Sequence, residues 1–137
     1  MGDFLQWNVV KSNAKVLRGV HVHVKHADYL VLASGRALVG MQDLRKGSPT
    51  FNEAMHVELA GSTNIALSIP PGIAHGFYFY EPSIHVYAVS HYWNLDDELG
   101  CRFDDEGLNI NWPDMSPVFS ERDRQLPRLE QLMISIN

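Results

Sequence analysis

Cysteine is nearly missing from this chain: Cys101 is the single one in 137 residues. No internal disulfide can therefore form, which suits a reducing compartment, and Cys101 reads as a packed thiol. Long apolar runs are missing too. No stretch approaches the roughly 20 residues needed to span a bilayer, and the N-terminus lacks the basic-then-apolar order of a signal peptide. The chain is accordingly expected in the cytoplasm, away from membranes. Basic residues are in the minority, with a formal net charge of -5. That balance argues against general attraction to nucleic acid, while a local basic pocket could still hold a small phosphorylated ligand.

The composition that remains, 45% hydrophobic and 20% charged, is that of a globular chain with enough apolar material for a core. Its length fits one domain over residues 1–137. Segments 15–24, 28–33, 36–42, 54–59, 63–69, 74–80 and 83–92 are rich in Val, Ile, Leu, Tyr and Phe. They are bounded by turn signals at Ser34-Gly35, Lys46-Gly47-Ser48-Pro49, Gly61-Ser62 and Pro70-Pro71-Gly72. Short strands at such spacing predict an antiparallel sandwich or barrel. After Trp93 the pattern turns acidic and poorly periodic, and the stretch beginning at Asn94 reads as a solvated surface excursion. Ser120 with Asp123 predicts the cap of a short helix running towards Met133, with Pro127 suited only to a first turn.

The stretch LRGVHVHVKHAD, residues 17–28, is dense in histidine. On a strand, residues two apart share a face, so His21 and His23 would point one way and Val20, Val22 and Val24 the other. A further histidine follows the turn in PPGIAH, at His75. Two kinds of site can be built from these groups. One is a metal centre of His21, His23, Asp28 and His75, an N/O donor set suited to a divalent metal. Its spacing resembles the two-part metal motif of the cupin superfamily, with Asp28 where a glutamate is usual. The other is an acid/base pair for proton transfer beside a ketone. Histidine serves as base near neutral pH, tyrosine as donor, and a carboxylate holds the imidazole in one tautomer.

From Phe4 to Leu129 the sequence resembles the dTDP-4-dehydrorhamnose 3,5-epimerase family. The resemblance is carried by KVLRGVH, DLRKGSPTF, IPPGIAHGF, VYAVSHYW, FDDEGLNINWP and SERDRQLPRL, in the family's order. It implies an all-β, cupin-type double-stranded β jelly roll with a short C-terminal helix. It also implies an isomerase acting on carbons beside the 4-keto group of a dTDP-4-keto-6-deoxyhexose, without a cofactor and as a homodimer. By the same resemblance His21 is the base, Asp123 its acidic partner and Tyr87 the acid. Arg18 contacts the diphosphate, His75 lines the sugar pocket, and Gln6 contacts the nucleotide.

The chain also departs from the family pattern. A pocket lysine that the family carries after its catalytic histidine has no counterpart, and a contracted loop puts Asp28 or His26 near its place. Three other readings follow from these features. They are a metal-dependent cupin enzyme, a 3,4-ketoisomerase in which His21 and His23 shuttle a proton, and a non-catalytic sugar-nucleotide binding protein.

Overall fold

The computed structural model describes residues 3–92 and 98–137; Trp93 and the first residues of the acidic stretch, 94–97, lie outside them. Among the described residues nine strands form two antiparallel sheets. The four-stranded sheet runs β1 (Gln6–Ser12), β8 (Ser83–Val89), β3 (Asp28–Ser34), β6 (Ala66–Ile69). The five-stranded sheet runs β5 (Ala54–Ala60), β4 (Arg36–Asp43), β7 (Ile73–Phe79), β2 (Leu17–Val22), β9 (Leu99–Gly100). This is the jelly-roll sandwich that the resemblance implies. The seven strands read from the sequence are all present. β1 and the two-residue β9 are additional, and the residues of β1 alternate between half-buried and exposed up to Lys11, with Trp7 and Val9 at 59% and 69% exposure. A strand with so little buried apolar surface leaves only a faint pattern in sequence.

Period-two alternation splits the core into two layers. Leu30 and Leu32 of one sheet meet Val39, Leu59 and Phe79 of the other, filling the sandwich interior at one end. Leu38 and Tyr78, each one residue away from a partner in that layer, belong instead to a second cluster with Val20, Val22, Leu108, Ile110, Trp112 and Leu132. The outer face of the five-stranded sheet is thus covered by the C-terminal part of the chain. This corrects the reading of that part as a solvated excursion: Cys101, Leu108, Ile110 and Trp112 are all buried. Two paired glycines make room for the Trp112 ring. A Cβ at Gly40 or Gly76 would come within 2.9 or 3.0 Å of its Cη2, and its Nε1 donates to the Phe103 carbonyl at 3.1 Å. Scattered apolar residues without a period gave no sign of this, because the segment packs as an irregular coil.

The C-terminal helix is also two helices. α1 spans Glu121–Arg124 and α2 spans Leu129–Ile136. Ser120 caps α1, its Oγ accepting from the Asp123 N–H at 3.1 Å. Pro127 prevents a continuous helix, since it has no N–H to donate and disfavours helical backbone at Leu126 before it. Among the described residues no helix is long and apolar enough to cross a membrane.

Candidate active site

β2 carries its imidazoles inward as the alternation predicts, with Val20 and Val22 fully buried on the opposite face. Its pairing with β7 shifts register between Arg18 and His21, and Gly19 occupies the irregularity at φ +128°. A Cβ there would lie 2.8 Å from the Gly76 Cα and 2.9 Å from the His75 carbonyl oxygen. Only glycine fits this conformation and approach. Its N–H is left pointing at α1, where it donates to Asp123 Oδ2 at 3.2 Å.

Asp123 Oδ1 contacts His21 Nε2 at 2.7 Å. Burial would raise the Asp123 carboxyl, but the His21 hydrogen bond, the His21 charge, the Gly19 N–H and Arg122 outweigh it and hold the group below its ordinary value. A carboxylate only accepts, so His21 Nε2 carries the proton and Nδ1 is left as the basic atom. The pair is separated by 102 positions in the chain. The arrangement is an imidazole oriented by a buried carboxylate, with the His21 side chain still 23% exposed.

Tyr87 comes from β8. Burial, followed by the negative charges of Glu98 and Asp28, pushes its phenol upward, with Arg18 and Arg122 partly opposing. It therefore stays protonated at neutral pH and is a donor. Two residues earlier on the same face lies His85, buried and stacked on both Tyr87 and Phe79. Burial, with Arg18's charge next, lowers His85 to about 4, so this ring is neutral. Its place two positions before Tyr87 is a period-two signal that sequence reasoning passed over.

Arg18 spans from β2 to β1, donating from Nε to Ser12 Oγ at 2.9 Å and from a terminal nitrogen to the Lys11 carbonyl at 3.4 Å. The PPG turn sets His75: the Gly72 N–H donates to the His23 carbonyl at 2.8 Å, and His75 Nδ1 meets the Ile73 carbonyl at 3.0 Å. Burial, then the charges of neighbouring histidines, lowers His75 to about 3. Gln6 on β1 donates to Asn8 Oδ1 at 3.4 Å. All six residues singled out from the resemblance, Gln6, Arg18, His21, His75, Tyr87 and Asp123, line one cavity of about 290 Å³ between the sheets. Glu98 and Arg122, an ion pair at 2.8 Å, complete its mouth.

The metal-type donors are arranged differently from the set that spacing alone suggests. His21 is engaged by Asp123, whereas His26 joins His23 and His75 around Asp28. The sequence reading put His26 near the missing lysine's place but not in the metal set, because a turn, not strand periodicity, brings it inward.

A jelly roll whose cavity holds a histidine bound to a buried carboxylate, a protonated tyrosine and an arginine has the groups that a proton-transferring isomerase needs. The chain belongs to the dTDP-4-dehydrorhamnose 3,5-epimerase family, which it matches over residues 1–131. It is 34% identical over 127 residues to the dTDP-4-dehydrorhamnose 3,5-epimerase of Shigella flexneri, covering 88% of this chain and 69% of that one. The enzyme of the same name from Pseudomonas aeruginosa is 36% identical, with coverages of 90% and 70%. Among solved structures, the Bacillus anthracis enzyme with TDP and PPi bound superposes with a TM-score of 0.88 at 34% identity, over 93% of this chain and 76% of that one. The Legionella pneumophila enzyme in complex with dTDP-4-keto-L-rhamnose superposes with a TM-score of 0.87 at 29% identity, over 94% and 71%.

Proposed function

We propose that this protein, acting through a single domain over residues 1–137, epimerises a dTDP-4-keto-6-deoxyhexose at a carbon beside its ketone. The observation that carries the reading is the 2.7 Å contact between His21 and Asp123 in the wall of the cavity. His21 Nδ1 takes the proton from carbon, and the imidazolium that forms is stabilised by the Asp123 carboxylate. The electrons left behind move towards the keto oxygen, in a cavity whose wall His75 lines. Tyr87 returns a proton from the other face, inverting the centre. A proton leaves and a proton returns, so no redox cofactor enters. Arg18 offers forked donors to the diphosphate, and Gln6 contacts the nucleotide.

A homodimer belongs to the same reading. Among the described residues β1 pairs only with β8, and it displays Trp7 and Val9 to solvent. An open edge carrying apolar side chains suits a second copy of the chain. A cytoplasmic location is consistent with the free, buried thiol of Cys101, which burial and then Asp105 raise to about 12.

The test is NMR of dTDP-4-keto-6-deoxyglucose in deuterated buffer, with and without chelator, beside a His21→Ala control. Deuterium entering at C3 or C5 with the wild type and absent with the variant supports the assignment. No exchange in either arm overturns it for this substrate.

A further inference from the structure

The turn after β2 brings an imidazole into the cavity wall that the epimerisation does not use. His26 Nε2 stands 3.6 Å from Asp28 Oδ1, while His23 Nε2 and His75 Nε2 stand 3.5 and 3.3 Å from Asp28 Oδ2. One ligating atom from each of His23, His26 and Asp28 lies within 4.8 Å of the other two. The His23 and His26 rings stack with centroids 4.0 Å apart. All four side chains are at or below a tenth exposed.

These separations are longer than the 2.7–2.9 Å or so of charge-assisted hydrogen bonds. Bonds of about 2.0–2.2 Å place neighbouring ligating atoms of a tetrahedral ion about 3.3–3.6 Å apart, and His23 Nε2 and His75 Nε2 stand at such distances from one oxygen, Asp28 Oδ2. His75 adds a second argument. The carbonyl of Ile73 can only accept, so the contact at 3.0 Å places the ring proton on Nδ1. Nε2 then presents its lone pair towards Asp28 Oδ2 at 3.3 Å. The hydrogen bond fixing Nδ1 is also the support that metal-facing histidines ordinarily receive.

The turn is anchored before any ion arrives. The Ala27 N–H donates to Ser90 Oγ at 3.0 Å, the Ser90 N–H donates to the Ala27 carbonyl at 3.2 Å, and the Gly72 N–H donates to the His23 carbonyl at 2.8 Å.

We propose that His23, His26 and Asp28 bind a divalent transition-metal ion, with His75 Nε2 flanking it. His21 is outside this set because Asp123 holds it. Two imidazoles and a carboxylate suit zinc, cobalt, iron or manganese, and three protein ligands leave a position open. When bound, such an ion supplies Lewis-acid charge on the wall shared with His21, where the family's lysine is missing. That catalytic use rests on the epimerase reading; the binding of the ion does not.

The experiment strips the full chain with EDTA, then titrates it with zinc chloride by calorimetry and with cobalt chloride by visible absorption. The expected result is one ion per chain, with cobalt bands of a tetrahedral or five-coordinate site. Asp28→Asn and His26→Asn should each weaken zinc binding at least 10- to 100-fold, the loss that even outer partners of metal sites produce. His21→Asn should leave zinc affinity within about threefold while abolishing deuterium exchange. Melting curves of the metal-free variants check that each is folded, and either of the two ligand variants suffices if the other is not. Failure to bind zinc at micromolar concentration overturns the proposal, as does affinity that survives both ligand changes or is lost in His21→Asn. Binding that follows this ligand set in a chain without exchange activity supports the site and overturns the epimerase reading alone.

Discussion

Replacing Asp123 by Asn tests the proton-transfer arrangement most directly, because it keeps the side-chain shape and removes one charge. In the native chain Oδ1 faces His21 Nε2 at 2.7 Å and Oδ2 accepts from Gly19 at 3.2 Å. Unit charges with centres about 4 Å apart attract by about 4 kcal/mol at an effective dielectric of about 20. His21 becomes an imidazolium when it takes the carbon proton, so this attraction strengthens towards the transition state. His21 keeps 23% of its side-chain surface exposed, and screening by water leaves about 2–3 kcal/mol of the attraction. At about 1.36 kcal/mol per decade, deuterium exchange should slow about 30- to 150-fold. The assay is single-substrate NMR exchange at saturating sugar nucleotide, with nucleotide affinity measured separately. Affinity should change little, since Asp123 is not assigned a binding contact. An Asp123→Asn rate within threefold of wild type would refute the argument that the carboxylate stabilises a charged base.

Three further outcomes follow from other parts of the molecule. Tyr87→Phe removes the donor but not the base, so deuterium should still enter the substrate while net inversion falls by about 10²- to 10⁴-fold, the usual span for a lost acid; equal loss of both would place Tyr87 elsewhere in the reaction. Trp112→Ala empties the notch between Gly40 and Gly76 and should cost about 3–5 kcal/mol in chemical denaturation, a result that a solvated segment would not produce. Asp43 is held well below the usual carboxylate range, chiefly by its Arg45 hydrogen bonds against the opposing effect of burial, with Ser48 and Thr50 adding to the lowering. A depressed folded value means that its contribution to stability is present above the unfolded value of about 3.9 and is lost as pH falls towards the folded one. Asp43→Asn should therefore lower the melting temperature at pH 7 and flatten its decline below pH 4; parallel melting curves for the two proteins down to pH 2.5 would contradict this.

The strands were legible because each buries a face and so carries a period of two; the same rule placed His21 and His23 in the cavity. What the residues alone could not show was closure over distance. Nothing local marks Asp123 as the partner of His21, and only the ordered series of family segments joins them. Two other features resisted for different reasons. The coil holding Leu108, Ile110 and Trp112 is buried without regular structure, so it carries no repeating pattern. His26 enters the wall through a turn, where side-chain direction depends on backbone angles that a residue string does not reveal. The break at Pro127 follows from the missing N–H, yet the Ser120 cap and the apolar residues after Arg128 read as one helix until both ends are located.

The route by which Asp123 reaches His21 has a consequence for how the protein is made. Asp123 is delivered by the segment that covers the back of the five-stranded sheet, through Trp112 and the Ser120 turn. During synthesis the base emerges about a hundred residues before its partner. A chain whose last quarter is still within the ribosome, or has been removed by a protease, can already possess strands and cavity walls but lacks an oriented base. On the epimerase reading, turnover thus waits until the chain has been made past Asp123, and nicking in the exposed stretch before α1 should silence it before the sheets themselves come apart.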